Sequence, residues 1–310
     1  MYIAQVNPAL SSLTFESDTI SAGSVTKVCS ALCALSTSKI SRSDSRIRVL
    51  GFSQNDVSDS GVDSLCELIR VSTWLQELSL NFWRISKQAT VSLASTLCSS
   101  TSIQTLDLSN SNFRLGEMIG SVLRVNSVLQ SLMLNGYDSE EIPALAEALK
   151  VNRSLRNLEF NNCSRRYDTK HIQMVSADVA YFSDALRINS SLRTLVMTDN
   201  GIDDDCCELL SAALRVNSGL TSLDLSYNRI GDRGAASIGA ALSINEGLRT
   251  LKIGDDGAVT LGEALCLNSA ITRLNLSDNN IGSFGAESIL LAQRVNSRLE
   301  INLNYNPVDE

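Results

Sequence analysis

The chain has little of what catalytic and metal sites are usually built from. Its 310 residues include one histidine, His171, and its eight cysteines form no Cys-x-x-Cys pair. Nucleophilic triads need a base and zinc sites draw mostly on Cys and His, so neither chemistry is favoured. A phosphate-cradling Gly-x-x-x-x-Gly-Lys-Ser/Thr motif and a dinucleotide-binding glycine motif are also absent from the sequence. We therefore predict no enzymatic activity, no metal and no cofactor.

Long apolar runs and an excess of positive charge are missing as well. No stretch approaches the ~18 apolar residues of a transmembrane helix, and residues 1–22 show no basic segment followed by an apolar run, so we expect no signal peptide. The net charge of −8 argues against a nucleic-acid or membrane partner. We expect a cytoplasmic protein whose cysteines are reduced.

The chain does contain a repeated sequence motif, which we call the frame: Leu220-Thr-Ser-Leu-Asp-Leu-Ser-Tyr-Asn-Arg-Ile230. The same frame starts at Leu192 and at Leu248, each 28 residues away. It has apolar residues at its first position and at +3, +5 and +10, and Asn at +8; such periods indicate a repeat architecture. The frame covers nearly the whole chain and predicts eleven strands, centred near Leu13, Leu50, Leu78, Leu106, Leu132, Leu158, Leu195, Leu223, Leu251, Leu274 and Ile301.

Each position of the frame has a physical reading. Positions +3 and +5 point to one face of a strand, and +2, +4 and +6 point to the other. The following segment switches to helical spacing and predicts an apolar helix face that includes Ile238 and Leu242. We expect the +8 Asn, such as Asn228, to hydrogen-bond neighbouring backbone. Helices close in a cation and then Asn, as in Arg215 and Asn217; the cation suits the helix dipole, and the Asn is expected in the left-handed conformation.

These residues resemble the leucine-rich repeats of the ribonuclease-inhibitor type, which also occur in NOD-like receptors and Ran GTPase-activating proteins. The resemblance implies an α/β horseshoe solenoid, with a parallel β-sheet on its concave face and α-helices on its convex face. We expect one continuous domain with an N-terminal capping repeat at 1–46, repeats at 47–297 and a capping strand at 298–310. At +8 the sequence departs from Asn at Trp83, Ser111, Tyr137, Cys163 and Asp256, and we expect local distortion at Trp83 and Tyr137.

The strand positions +4 and +7 form the surface most informative about a partner, because they face away from the helices. Acidic residues and a few aromatics alternate there. An acidic face with aromatic anchors would suit a protein partner with a basic surface, and a solvated sheet face with no dedicated ligand is the open alternative. The candidate residues are Phe82, Asp107, Glu159, Asp224, Tyr227, Asp255 and Tyr305.

Two further segments depart from the regular pattern. The longest repeat, 37 residues from Leu155 to Leu192, contains a basic insertion with Arg165, Arg166 and Lys170. This insertion either grips a partner or is a solvated spacer. The acidic run 199–205 looks superficially like a calcium loop but lacks the EF-hand spacing. Acidic residues are favoured at a helix start, which is the reading we adopt.

Taken together, these features predict a protein-interaction scaffold that binds through its concave face and rim loops. The alternative is a GTPase-activating or regulatory protein, by resemblance to the Ran GTPase-activating type, although none of that family's functional residues maps onto this sequence. A relative of innate-immune sensors is a third reading, but no nucleotide-binding module supports it.

Overall fold

The computed structural model describes residues 10–15, 22–37, 47–53, 57–81, 85–111, 115–136, 142–161, 176–253, 258–277 and 281–306. The fold is α/β: within these ranges, eleven strands alternate with ten helices. The predicted number of strands is confirmed for the described chain. Two compact units divide the chain, Met1–Gly136 and Tyr137–Glu310.

The first unit contains five strands that pair in chain order, each parallel to the next. The leucines at +3 share one register, with Leu50 opposite Leu78 and Leu78 opposite Leu106. Each helix contacts the next helix in sequence. The elements are β1 Ser12–Phe15, α1 Ala22–Thr37, β2 Val49–Phe52, α2 Asp59–Val71, β3 Glu77–Ser79, α3 Lys87–Ser99, β4 Thr105–Asp107, α4 Leu115–Val125 and β5 Ser131–Met133.

The second unit repeats the arrangement with six parallel strands in chain order. Its helices again contact their neighbours in sequence. The elements are α5 Ile142–Val151, β6 Asn157–Glu159, α6 Ser176–Ile188, β7 Thr194–Val196, α7 Asp204–Leu214, β8 Ser222–Asp224, α8 Asp232–Leu242, β9 Thr250–Lys252, α9 Ala258–Leu265, β10 Arg273–Asn275, α10 Ser283–Val295 and β11 Glu300–Asn302.

The core of each unit lies between strands and helices, as the alternation predicts. The central leucine of a strand, such as Leu223 in β8, is buried while its neighbours point to the opposite side. From the helix side, Ile238 and Leu242 are fully buried, so the predicted helix face is confirmed. The strand residues at +2 and +4, which lie opposite the helices, form what we call the open sheet face.

The +8 asparagines hydrogen-bond neighbouring backbone, as expected, and these bonds form a ladder between repeats. Asn228 donates through Nδ2 to the carbonyl of Met197 in the preceding repeat and to that of Leu225, both at 2.8 Å. Asn306 bonds in the same way to the repeat before it. Ser111 replaces the amide with a hydroxyl that donates to the Leu80 carbonyl at 2.9 Å. The other departures, Trp83, Tyr137, Cys163 and Asp256, lie outside the described residues.

A second ladder is formed by the asparagines that close the helices, and here one expectation was wrong. These asparagines were expected in the left-handed conformation, but none of them has a positive φ in the described ranges. Asn296, for example, has φ −108° and ψ 89°. They are mostly buried, and their amides connect repeats: Asn217 Nδ2 donates to the carbonyls of Leu186 at 2.6 Å and Asn189 at 2.9 Å. Its Oδ1 accepts from the N–H of Leu220 at 2.8 Å. Asn is needed there as a combined donor and acceptor.

The acidic run 199–205 supplies the start of α7, as expected. The Asp203 carboxylate accepts the N–H of Cys206 at 3.0 Å. Burial acts to raise the pKa of Asp203, but the hydrogen bonds it accepts, led by that of Cys206, hold the pKa below its ordinary value. The contribution of this cap to stability is therefore fully present at pH values above the ordinary pKa of an aspartate. It is lost as the pH falls through the lowered pKa of Asp203. Asp204 caps the next helix instead, accepting from the N–H groups of Gly231 and Gly234.

Candidate partner-binding surface

Two of the predicted acidic residues on the open sheet face also shape the turn that follows their strand. The Asp107 Oδ1 atom accepts the N–H of Ser109 at 3.0 Å, and the Asp224 Oδ1 atom accepts that of Ser226 at 3.0 Å. A short side chain that bonds two residues ahead is an Asx turn, which redirects the chain as it leaves the strand. Part of each carboxylate's hydrogen-bonding capacity is thus used within its own repeat.

Asp224 is further engaged by the neighbouring strand. Its Oδ2 atom lies 2.8 Å from Nζ of Lys252, the +4 residue of β9, and the residue is only 9% exposed. Two strands further on, Arg273 and Glu300 form a pair at 3.6 Å on the same face. From β8 to β11 the open sheet face therefore carries paired charges of both signs rather than a purely acidic surface.

Glu159, on β6, is the third predicted acidic residue that the structure describes. It is half-buried, and its Oε1 atom accepts a hydrogen bond from Nδ2 of Asn161 at 2.8 Å. β6 and β8 are separated by one intervening strand, so Glu159 lies about 10 Å from Asp224 along the hydrogen-bonding direction. The two carboxylates belong to the same face but not to one cluster.

Tyr227 and Tyr305 project from the turns that follow β8 and β11, which we call the exit turns. Both have left-handed backbones, with φ of 59° and 63°, and both are largely exposed, at 73% and 84%. The equivalent +7 residues Asn110 and Asp199 are also left-handed. That conformation costs a residue with a Cβ roughly 1–2 kcal/mol. The exit turn holds the +7 residue in this conformation despite the cost, and the residue that follows each tyrosine belongs to the +8 ladder.

The structure thus describes part of the predicted set and spreads it over several strands. Tyr227 and Asp224 belong to one repeat, and Tyr305 follows three strands later. Sequence reasoning did not single out Lys252, although its position 28 residues after Asp224 in the same +4 column is a usable signal. The predicted residues Phe82, Asp255, Arg165, Arg166 and Lys170 lie outside the described residues.

No group of three or more His, Cys, Asp or Glu side chains within the described ranges is placed to hold a metal ion. No helix in that part of the chain is both long and apolar enough to cross a bilayer. The described cysteines are free thiols, and burial is the main factor that raises the pKa of those in α1, α2, α3 and α7.

Comparison with known proteins identifies the repeat. Segments 189–211, 216–239 and 268–290 match the leucine-rich repeat family model. These matches coincide with the strand–helix repeats of the second unit, so the chain contains leucine-rich repeats and its fold is a leucine-rich repeat solenoid. No curated protein matches the chain.

Comparison with solved structures gives one likeness with a TM-score of 0.50 and two weaker ones. The TLR13 chain in its complex with ssRNA13 is similar over 90% of this chain and 37% of its own, with 17% identity and a TM-score of 0.50. The tropomodulin C-terminal domain from Caenorhabditis elegans matches over 50% of this chain and 93% of its own, with 12% identity and a TM-score of 0.41. Actin-binding site 2 of leiomodin-1 matches over 40% and 73%, with 20% identity and a TM-score of 0.36. At 17% identity the likeness to the TLR13 chain concerns the fold alone, and no conclusion is drawn from the other two.

Proposed function

We propose that the chain is a protein-interaction scaffold whose open sheet face and exit turns bind a protein partner. The observation that carries the proposal is the pair of exposed tyrosines, Tyr227 and Tyr305, held in left-handed turns at one edge of the sheet in the second unit. Tyrosine is enriched among interface residues that dominate binding, because it buries a large rigid ring and has few rotamers to lose. A fixed backbone beneath each ring lowers that entropic cost further.

The charge distribution supports a partner with a basic surface, but it also limits how much electrostatic attraction contributes to the affinity. Glu159 and the exposed Asp199 add negative charge near β6–β8, and the whole chain carries −8. Lys252 offsets Asp224 in the same region. We therefore expect electrostatics to act mainly on the association rate and on partner choice, while the tyrosines supply most of the affinity.

Further features fit an intracellular, non-enzymatic role. Leucine-rich repeat folds are typically interaction modules, and buried free thiols suit a reducing compartment such as the cytoplasm. A 28-residue repeat with a full α-helix supports the ribonuclease-inhibitor type. The described residues supply no observation that favours GTPase activation.

The test is affinity capture from a cell extract with the intact chain as bait. The double variant Tyr227→Ala/Tyr305→Ala is compared with Tyr181→Ala, an exposed tyrosine on helix α6 that serves as the matched control. Loss of about 1–2 kcal/mol for each ring predicts affinity weakened at least about fivefold for each substitution. Partner affinity should fall in the double variant and persist in the control.

Two outcomes would count against this proposal. A partner set that does not change in the double variant would show that the exit turns do not bind. Acceleration of GTP hydrolysis when the chain is added to small GTPases would replace the scaffold reading by the regulatory one. Binding that weakens as salt is raised would support the basic-partner assignment, and a salt-independent partner would contradict it.

A further inference from the structure

An exposed apolar residue directly precedes the helix-closing Asn in every repeat of the second unit from α5 to α10. Scattered exposed apolar residues need no explanation, but one at the same position in six consecutive repeats is not scatter. Each is between 54% and 75% exposed. We call this row the helix-end stripe: Val151, Ile188, Val216, Ile244, Leu267 and Val295.

The helix-closing ladder places these residues side by side. Asn217 Nδ2 donates to the carbonyl of Asn189 at 2.9 Å, and Asn245 Nδ2 donates to that of Asn217 at 2.9 Å. The same contact continues through Asn268 and Asn296. Each stripe residue is bonded covalently to one of these asparagines. The distance between adjacent stripe residues therefore lies between about 5 Å, the spacing of neighbouring strands, and about 10 Å, the spacing of packed helices.

The stripe residues have no part in the core. The residue two positions earlier, such as Leu214 before Val216, fills the space between helix and strands, and the Asn that follows is buried. Full burial of an aliphatic side chain corresponds to roughly 60–120 Å² of apolar area. At the observed exposures the six residues together present roughly 200–400 Å² of apolar area, against about 300–600 Å² for the largest apolar patch of a typical monomer.

Positive charge accompanies the stripe, although the chain as a whole is acidic. Within two residues of a stripe position the bases are Lys150, Arg153, Arg187, Arg215 and Arg294, and the acid is Glu246. Arg187, Arg215 and Arg294 are exposed, and none of them has an ion-pair partner among the described residues. The helix dipole explains a base at a helix end. It does not explain the apolar residue beside each base.

We propose that the helix-end stripe is a docking surface for an acidic amphipathic helix of a partner protein. The spacing between stripe residues corresponds to one or two turns of a helix with a 5.4 Å pitch, so the apolar face of a ligand helix can meet several repeats. The accompanying bases complement acidic residues on its flanks. An anionic membrane fits less well, because the chain carries −8 and the stripe has no aromatic anchor.

The test uses the full chain and a labelled synthetic helical peptide of about 18 residues, long enough for five turns, with Leu on one face and Glu on the other. Binding is followed by fluorescence anisotropy. The stripe variant is Ile188→Ser/Val216→Ser/Ile244→Ser. The matched control, Val259→Ser/Phe284→Ser, removes exposed apolar residues at the opposite ends of helices in the same unit.

The stripe variant should weaken peptide binding by about tenfold or more, and the control should leave it within about twofold. Because all the substituted side chains are exposed, circular dichroism and thermal unfolding should show that both variants remain folded. Arg187→Glu/Arg215→Glu should weaken binding and reduce its salt dependence. Tyr227→Ala should leave peptide binding unchanged, which separates this surface from the exit turns.

Several results would overturn the proposal. The first is absence of peptide binding at the highest soluble concentration, and the second is equal binding of a peptide in which Lys replaces Glu. Stripe-dependent binding of phosphatidylserine vesicles without peptide binding would assign the surface to a membrane. A dimer in analytical ultracentrifugation that dissociates in the stripe variant would assign it to a second copy of this chain.

Discussion

Replacing Asn217 by alanine tests the helix-closing ladder most directly. The Asn217 side chain is 6% exposed and makes four hydrogen bonds to backbone. Two are donated to carbonyls of the preceding repeat, and two are accepted from the N–H groups of Gly219 and Leu220. Alanine would remove all four bonds at once and leave buried backbone groups without partners.

The magnitude follows from the number of bonds. A typical intramolecular hydrogen bond contributes about 0.5–1.5 kcal/mol net, and a buried group left unpaired costs about 1–3 kcal/mol. A water molecule in the vacated space would recover part of this loss. We expect Asn217→Ala to lower the free energy of unfolding by about 2–5 kcal/mol, a large share of the roughly 5–15 kcal/mol typical of a domain.

Urea unfolding followed by far-ultraviolet circular dichroism measures this change. The adjacent Ser218 is exposed, and Ser218→Ala is the matched control, expected within about 0.5 kcal/mol of the wild type. Asn217→Asp keeps one acceptor oxygen for the N–H groups of Gly219 and Leu220. It replaces the donating amide nitrogen with a second oxygen, so both donated hydrogen bonds are lost and negative charge is placed against two carbonyls. At neutral pH it should be at least as destabilising as alanine.

Two results would refute this account of the ladder. One is an Asn217→Ala variant as stable as Ser218→Ala, which would show that water replaces the amide without loss. The other is an Asn217→Asp variant with wild-type stability, since that would make the two donated hydrogen bonds dispensable.

Three other predictions follow from separate contacts. Tyr227→Asn should raise the free energy of unfolding by about 0.5–1 kcal/mol in urea titrations, because Asn tolerates the left-handed backbone better than Tyr does; an unchanged midpoint would contradict it. Gly219→Ala should lower that free energy by about 1–3 kcal/mol in the same assay, since the new Cβ would lie 2.8 Å from the Ser190 carbonyl oxygen; wild-type stability would show that the repeats can separate there. Burial raises the pKa of the Cys206 thiol to about 11, so roughly 0.1% of it is thiolate at pH 8. Mass spectrometry should show iodoacetamide labelling of Cys206 only after unfolding. Labelling of Cys206 in the native protein at the rate of a free thiol would contradict its burial.

The strands and the helices follow from the sequence, because each is encoded within one repeat. The alternation around Leu223 defines a strand, and the spacing of Ile238 and Leu242 defines a helix face, without reference to any other part of the chain. Local periodicity of two and then 3.6 residues was enough to place them. The resemblance then supplied the parallel order.

Contacts between repeats could not be obtained in this way. Asn217 looks like a helix stop when its own helix is considered alone, and its partners, Leu186 and Asn189, belong to the preceding repeat. Asp224 looks like an exposed acid until Lys252 of the following strand is placed beside it. The pairing of charges on the open sheet face therefore could not be predicted from single repeats.

The ladders also determine where the chain can change in length. The interval from Leu155 to Leu192 is 37 residues, yet Asn189 still reaches the Leu149 carbonyl at 2.7 Å, across 40 residues of sequence. Asn200 reaches the Phe160 carbonyl at the same distance and separation. Residues added between a strand and its helix thus leave both sets of bonds in place. A longer segment between strand and helix is therefore compatible with both ladders, so such segments can vary in length while the framework that carries them stays the same.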